Sequence, residues 1–75
     1  MPEERAVLFG LRLAAARHAS GLTQEDLATA LGVARATVAH WEIGRRVPDA
    51  LTLADIAAAL GANTDALLGM EVRHD

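Results

Sequence analysis

The sequence predicts one small all-α domain of five helices. Alanine, the strongest helix former, occupies 17 of the 75 positions. Glycines separate segments in which apolar residues recur three or four positions apart, the spacing of one helix face. No segment alternates apolar and polar residues in the manner of a half-buried strand. A chain of 75 residues suffices for a single domain with a thin core. We expect that domain to occupy residues 1–70, followed by a C-terminal tail at 71–75.

The first helix is predicted from about Glu3 to Ala19. Phe9, Leu13 and Arg17 lie four residues apart and therefore share one helix face. Gly21 follows the last patterned residue, at a position where glycine commonly ends a helix.

The second helix is predicted to begin after Thr23. Thr23 and Asp26 have the spacing of a capping box, with Asp in place of the usual Glu or Gln. Leu22 and Leu27 flank this start as a hydrophobic staple. Gly32 stands one residue past the predicted end, where a left-handed backbone conformation costs glycine little.

The third helix is predicted from about Arg35 to Ile43 and ends before Gly44. Val38, Trp41 and Glu42 share its inner face, so we expect Trp41 in the core rather than stacked on a base. The opposite face carries Arg35, Ala36, Ala39, His40 and Ile43.

The fourth helix follows Pro48, with Asp49 as its cap, and the short fifth helix is capped by Asn63. The fifth helix contributes Leu67 and Leu68 to packing. The inner face of the fourth helix consists of Leu53, Ile56, Ala57 and Leu60.

Charge is unevenly distributed along the chain. The net charge is −3, and all seven basic residues are arginine. Residues 32–48 form the basic stretch. It contains three basic residues (Arg35, Arg45 and Arg46) and one acidic residue (Glu42). The acidic balance argues against binding of nucleic acid by overall charge. The distribution of charge along the chain therefore matters more than the net charge.

The sequence lacks the residues that several classes of protein function require. Without cysteine the chain can form neither a disulfide nor a thiolate metal site. His18, His40 and His74 lie in different segments, and the sequence has no H-E-x-x-H motif, carboxylate cluster or glycine-rich phosphate loop. We expect no catalysis, metal, cofactor or small-molecule ligand. No apolar run is long enough for a membrane span, and Met1–Arg5 lacks the basic start of a signal peptide, so we expect a cytoplasmic, nucleoid-associated protein.

Two short helices joined by a glycine-containing turn have the spacing of a helix-turn-helix. Residues 21–33 (GLTQEDLATALGV), 38–48 (VAHWEIGRRVP) and 60–68 (LGANTDALL) resemble the phage repressor and Cro-like helix-turn-helix proteins, the XRE family. The resemblance extends over residues 9–68. It implies a compact lambda-repressor-like domain with the helix-turn-helix at helices 2 and 3.

The resemblance implies DNA contacts for seven residues. Arg35 matches a position that faces base edges in the major groove, and arginine can donate two parallel hydrogen bonds to guanine. Ala36 can contact only a thymine methyl group, and His40 lies one turn further along the same face. Phosphate contacts are implied for Gln24, Thr37, Arg45 and Arg46, and Gln24 is also implied to brace the third helix. The alternative for Arg35, His40, Arg45 and Arg46 is a solvated surface side chain, and for Gln24 it is a first-turn polar residue without a DNA contact.

The resemblance also implies a structural ion pair between Arg17 and Glu42, which ties the first helix to the third. A lone carboxylate on the inner face would be costly. The sequence departs from the family at Ala34, which takes the N-cap position of the third helix where Ser or Thr is usual; the missing cap costs about 1 kcal/mol. Ala36 and Ala39 leave few polar groups for direct readout, so DNA shape is expected to contribute to specificity.

These features predict sequence-specific binding of double-stranded DNA by a small homodimeric transcriptional regulator that reads the major groove with its third helix. A dimer would bind half-sites of a palindrome about 34 Å apart. The acidic balance and the alanine-rich reading face leave open a second hypothesis, a protein-interaction module such as an antitoxin with weak DNA binding. Leu67 and Leu68 could equally belong to the core. The expected dimer surface includes Leu51, Leu67, Leu68, Met70 and Val72.

Overall fold

The computed structural model of the protein describes residues 3–70. This part of the chain contains five α-helices and no strand, as predicted. The helices are α1 (Glu4–Ala19), α2 (Gln24–Leu31), α3 (Arg35–Glu42), α4 (Ala50–Leu60) and α5 (Thr64–Leu68). The predicted tail at 71–75 lies outside the described residues. None of the helices in residues 3–70 has the length and apolarity needed to cross a membrane.

Side-chain caps explain where most of the helices begin. The Asp26 N–H donates to Thr23 Oγ1 at 3.0 Å and the Thr23 N–H donates to Asp26 Oδ2 at 2.9 Å, which completes the predicted capping box. Asp49 and Asn63 accept first-turn N–H groups of α4 and α5. Ala34 provides no side-chain cap for α3, also as predicted. The start of α3 therefore depends on packing rather than on a cap.

The core lies where the inner faces of the five helices meet. α3 packs against both α1 and α2, while α4 packs against α2 and α5. Trp41 is 4% exposed and belongs to this core, as expected. Because α3 is held from two sides, its inner and outer faces are fixed. The buried core consists of Phe9, Leu13, Leu27, Ala28, Val38, Trp41, Ile56, Ala57, Leu60 and Leu67.

Gly10 allows α1 to approach the end of α3 closely. A Cβ atom at this position would lie 2.5 Å from the carbonyl oxygens of Trp41 and Glu42, which are backbone atoms with little room to move. Glycine therefore brings the two helices together where any other residue would separate them. Apolar spacing does not single out Gly10, whose role appears only in the packed structure.

The two leucines of α5 have different environments. Leu67 is 1% exposed and therefore belongs to the core rather than to the expected dimer surface. Leu68 and Met70 are exposed, and Leu51 at the start of α4 is 81% exposed. Val72 lies outside the described residues. Of the residues expected at the dimer surface, Leu51, Leu68 and Met70 are thus exposed, whereas Leu67 is buried.

Candidate nucleic-acid interface

The turn between α2 and α3 determines which side of α3 faces the solvent. Gly32 ends α2 with a φ of 71°, in the left-handed region. The Val33 N–H donates to the Ala28 carbonyl at 3.0 Å, and Val33 packs against the core. Val38 and Trp41 then bury the inner face of α3. The opposite face is left at the surface.

The outer face of α3 combines one cation with small side chains. Arg35 and Ala36 in its first turn are exposed, whereas Thr37 and His40 are half-buried. Ile43, directly after the helix, is 56% exposed. Arg35 and Ala36 at the start of α3 are therefore more exposed than His40 in its second turn.

The loop after α3 places two more arginines beside this face. Gly44 reverses the chain with a φ of 78°. The backbone N–H groups of Arg45 and Arg46 both donate to the His40 carbonyl, at 2.9 and 3.4 Å. Both arginine side chains are exposed. The loop that carries them is thus tied to the last turn of α3.

Arg17 and Glu42 form an ion pair that joins α1 to the end of α3. Arg17 Nε donates to Glu42 Oε2 at 2.6 Å and Arg17 Nη2 donates to Glu42 Oε1 at 3.0 Å. The two side chains are only 9% and 7% exposed. Arg17 Nη1 also donates to the Leu22 carbonyl at 2.8 Å. The pair is therefore buried and hydrogen-bonded, as a buried charge requires.

The environment of Glu42 favours its ionised form. Burial alone would raise the pKa of Glu42, but hydrogen bonds from Arg17 and Gln24 and the charge of Arg17 outweigh it and lower the pKa below its ordinary value. Its hydrogen bonds to Glu42 and the negative charge of that carboxylate raise the pKa of Arg17. Both groups thus remain charged at neutral pH.

Gln24 connects this ion pair to the exposed start of α3. Its Nε2 donates to Glu42 Oε1 at 3.0 Å, and its Oε1 accepts from Arg35 Nη1 at 3.2 Å. Gln24 opens α2, so one side chain at the start of that helix contacts both ends of α3. The amide thereby links the two helices of the motif.

The ion pair changes the balance of exposed charge near α3. Glu42 is the single acid in residues 32–48, and its charge is buried and compensated by Arg17. Arg35, Arg45 and Arg46 are all exposed. A localised cationic surface thus exists on a protein whose net charge is −3, and such a surface attracts an anionic partner.

A family model described as a helix-turn-helix domain matches residues 8–69. The chain belongs to this helix-turn-helix family. Its five-helix fold and the α2–turn–α3 unit match those of the XRE-like repressors to which the sequence is similar.

Relatives of this helix-turn-helix protein include named transcriptional regulators. The SPbeta prophage-derived uncharacterized HTH-type transcriptional regulator YonR of Bacillus subtilis is 39% identical over 61 residues, which cover 81% of this chain and 56% of YonR. The chain therefore spans little more than half the length of that relative.

Two solved structures have similar folds. The restriction-modification controller protein C.AhdI from Aeromonas hydrophila has a TM-score of 0.77 and 37% identity, covering 83% of this chain and 94% of C.AhdI. The c2 repressor of phage P22, solved with synthetic operator 9T, has a TM-score of 0.77 and 27% identity, covering 84% of this chain and 96% of the repressor.

Sequence reasoning missed part of the polar network of this helix-turn-helix domain. Gln24 and Glu42 lie 18 positions apart, and no local pattern predicts the hydrogen bond between them. His18 Nε2 lies 3.4 Å from Arg17 Nη2, a contact between neighbouring residues of α1. The hydrogen bond between Gln24 and Glu42 depends on how α2 and α3 pack together. Within residues 3–70, no group of three or more metal-ligating side chains is close enough to hold a metal ion.

Proposed function

We propose that this protein binds double-stranded DNA sequence-specifically and regulates transcription, with α3 in the major groove. The single observation that carries the proposal is the cationic outer surface of α3 and its following loop, presented by a helix-turn-helix fold. A helix of this size fits the major groove, where base edges can be distinguished. Because duplex DNA is the proposed partner, we propose that the protein acts at the nucleoid, in the cytoplasm. Regulation rather than catalysis agrees with relatives that are named transcriptional regulators.

Base contacts are assigned to the outer face of α3. Arg35 is exposed in the first turn and has the donors for a guanine in the groove. Ala36 is exposed beside it and presents a methyl group suited to thymine. His40 is half-buried one turn later and contributes a ring nitrogen near the groove wall.

Phosphate contacts are assigned to residues that flank this face. Arg45 and Arg46 are exposed in a loop held against the last turn of α3, at a place suited to follow a DNA strand. Gln24 and Thr37 lie at the first turns of α2 and α3. Each lost phosphate contact lowers the affinity for all sequences alike and reduces the slope of its salt dependence by about one.

A homodimer is the form in which we propose that the protein acts. A single α3 reads few base pairs, and two copies on a palindrome would read twice as many. Leu51, Leu68 and Met70 form exposed apolar surface near α4 and α5 that a second copy could cover. Leu51→Glu is expected to weaken dimer formation in sedimentation equilibrium and leave the monomer folded. Unchanged association would remove Leu51 from the interface.

Selection of bound sequences from a random duplex pool, followed by gel-shift titration, tests the proposed function. The wild type should select one symmetrical site. Arg35→Ala should weaken binding to that site by about 1–3 kcal/mol and relax specificity at one position of each half-site. A wild type with no salt-dependent affinity for DNA would contradict the proposal and favour the protein-interaction module.

A further inference from the structure

A groove lies between α1, the loop that precedes α4 and the end of α5. None of the described residues that line it belongs to α2 or α3, so the groove is separate from the candidate nucleic-acid interface. Its volume of about 460 Å³ falls within the roughly 300–1,000 Å³ that is typical of small-molecule sites. The apolar side chains that line it include Leu8, Phe9, Val47, Leu68 and Met70.

Most of these apolar side chains are left in contact with water. Phe9 belongs to the buried core, whereas Leu8, Val47, Leu68 and Met70 are exposed. Apolar side chains scattered singly over a surface are ordinary, but several that line one concavity favour a binding partner that removes them from water. The groove can therefore accept an apolar group.

Arg12 gives this apolar groove a guanidinium group at a fixed place. Its side chain is half-buried and lines the groove. A Cβ atom at Gly69 would lie 2.5 Å from Arg12 Cζ and 2.7 and 2.8 Å from the two Nη atoms. Because Cζ is the nearest of the three, the flat face of the guanidinium covers Gly69. The N–H bonds lie in the plane of the group, so they point away from that backbone and remain able to donate.

The charge of Arg12 has no carboxylate partner within residues 3–70. The ion pairs of this part of the chain are Glu3–Arg5 and Arg17–Glu42. Glu3 and Arg5 also line the groove, but they are already paired with each other at 2.6 Å. A guanidinium has five donors in a planar fork that matches a carboxylate, and such pairs are commonly bidentate. Arg12 thus makes the groove complementary to a carboxylate next to an apolar group.

We propose that this groove binds a small amphiphilic carboxylate, whose apolar chain covers the exposed leucines and whose carboxylate accepts hydrogen bonds from Arg12. The site is additional to DNA binding and does not depend on it. Leu68 and Met70 belong both to the groove and to the expected dimer surface. A bound ligand and a second copy of the chain would therefore compete for these two side chains.

The test follows the backbone amide signals of the full chain in NMR during titration with octanoate, octylammonium or acetate at neutral pH. Octanoate should cause saturable changes at α1, Val47 and the end of α5, with a dissociation constant of about 10 mM or lower. Octylammonium should bind at least about fivefold more weakly, although the net charge of −3 attracts it. Acetate has the carboxylate without the chain and should not saturate the site in this range.

Arg12→Met keeps an apolar stem in the groove and removes the guanidinium. It should weaken octanoate binding by about fivefold and abolish the preference for octanoate over octylammonium. Ala30→Glu is the matched control, because it lowers the net charge by the same one unit at an exposed position of α2 outside the groove. Its preference should equal that of the wild type, and thermal melting checks that both variants are folded.

Leu8→Glu tests the same site with Arg12 still present. The new carboxylate lies one helical turn before Arg12, at the spacing at which opposite charges pair on a helix. It should occupy the guanidinium and eliminate octanoate binding. Because Leu8 is 40% exposed and lies outside the core, the variant should stay folded.

Three outcomes would overturn the proposal, and none of them bears on DNA binding. In the first, the wild type does not saturate with octanoate, or binds octylammonium equally well. In the second, only Glu71→Gln binds octanoate, which would mean that the chain's own C-terminal segment fills the groove. In the third, sedimentation equilibrium shows that Arg12→Met and Leu8→Glu dissociate a dimer that does not bind octanoate, so a second copy covers the groove.

Discussion

Ala34 leaves the start of α3 without the side-chain hydrogen bond that begins α2, α4 and α5. Its backbone has the extended conformation, with φ −72° and ψ 147°, that the capping residues of those helices also adopt. Ala34→Ser should therefore add a cap without moving the chain. We expect the free energy of unfolding in urea to rise by about 1 kcal/mol. Ala30→Ser, in the exposed interior of α2, is the control and should give no gain; equal effects at both sites would contradict a capping role.

Helix propensity alone should not predict the effect of Gly10→Ala on stability. Alanine is favoured over glycine in a helix interior by about 1 kcal/mol. Because a Cβ at Gly10 would meet two backbone carbonyl oxygens at 2.5 Å, we instead expect Gly10→Ala to destabilise the protein by about 1–3 kcal/mol. Ala15→Gly, on the exposed side of the same helix, measures propensity alone. A stabilising Gly10→Ala would show that the α1–α3 contact is looser than described.

At the scale of the elements, the Arg17–Glu42 pair holds α1 against α3. Glu42→Ala should leave the Arg17 charge buried without a partner and cost about 3–5 kcal/mol. That is a large part of the roughly 4–11 kcal/mol expected for a domain of 75 residues. Arg17→Met/Glu42→Met removes both charges and should recover most of the loss in urea unfolding. A double variant as unstable as the single one would mean that the pair has a structural role that apolar packing cannot replace.

The same pair should make stability depend on pH. The pKa of Glu42 is lowered in the folded protein, so unfolding takes up a proton as the pH falls toward and below the ordinary value of about 4.3. The stabilisation is complete above that value and is lost as the pH falls through the lower folded-state pKa. The melting temperature of the wild type should fall over this range. Arg17→Met/Glu42→Met should show a smaller fall; because Asp26 and Asp49 also have lowered pKa values, the fall should not vanish.

For the whole molecule, local signals in the sequence predicted most of the fold. The Thr23–Asp26 capping box and Gly32 predicted the boundaries of the second helix, and apolar spacing predicted the core, including Trp41. These signals act over one or two turns of a helix. The close approach at Gly10 depends on long-range packing, which no window of a single sequence contains.

The candidate site likewise combines features that the sequence predicts with features that depend on long-range packing. Family resemblance named Arg35, Gln24 and the Arg17–Glu42 pair one by one, and the structure brings these four side chains into one network. The resemblance implied that Gln24 braces the third helix, but it did not name Glu42, 18 positions away, as the partner. The resemblance thus named the members of the site and the Arg17–Glu42 pair, but not the hydrogen bonds that join Gln24 to Glu42 and to Arg35.

The central claim, that the outer face of α3 contacts DNA, is tested most directly by following the backbone amide signals of the protein in NMR as its selected duplex is added. The largest changes should occur at α3 and at the loop carrying Arg45 and Arg46, with a smaller group at the start of α2. Changes confined to α4 and α5 would contradict the claim, whereas equal changes at α3 with a scrambled duplex would show DNA contact without sequence specificity.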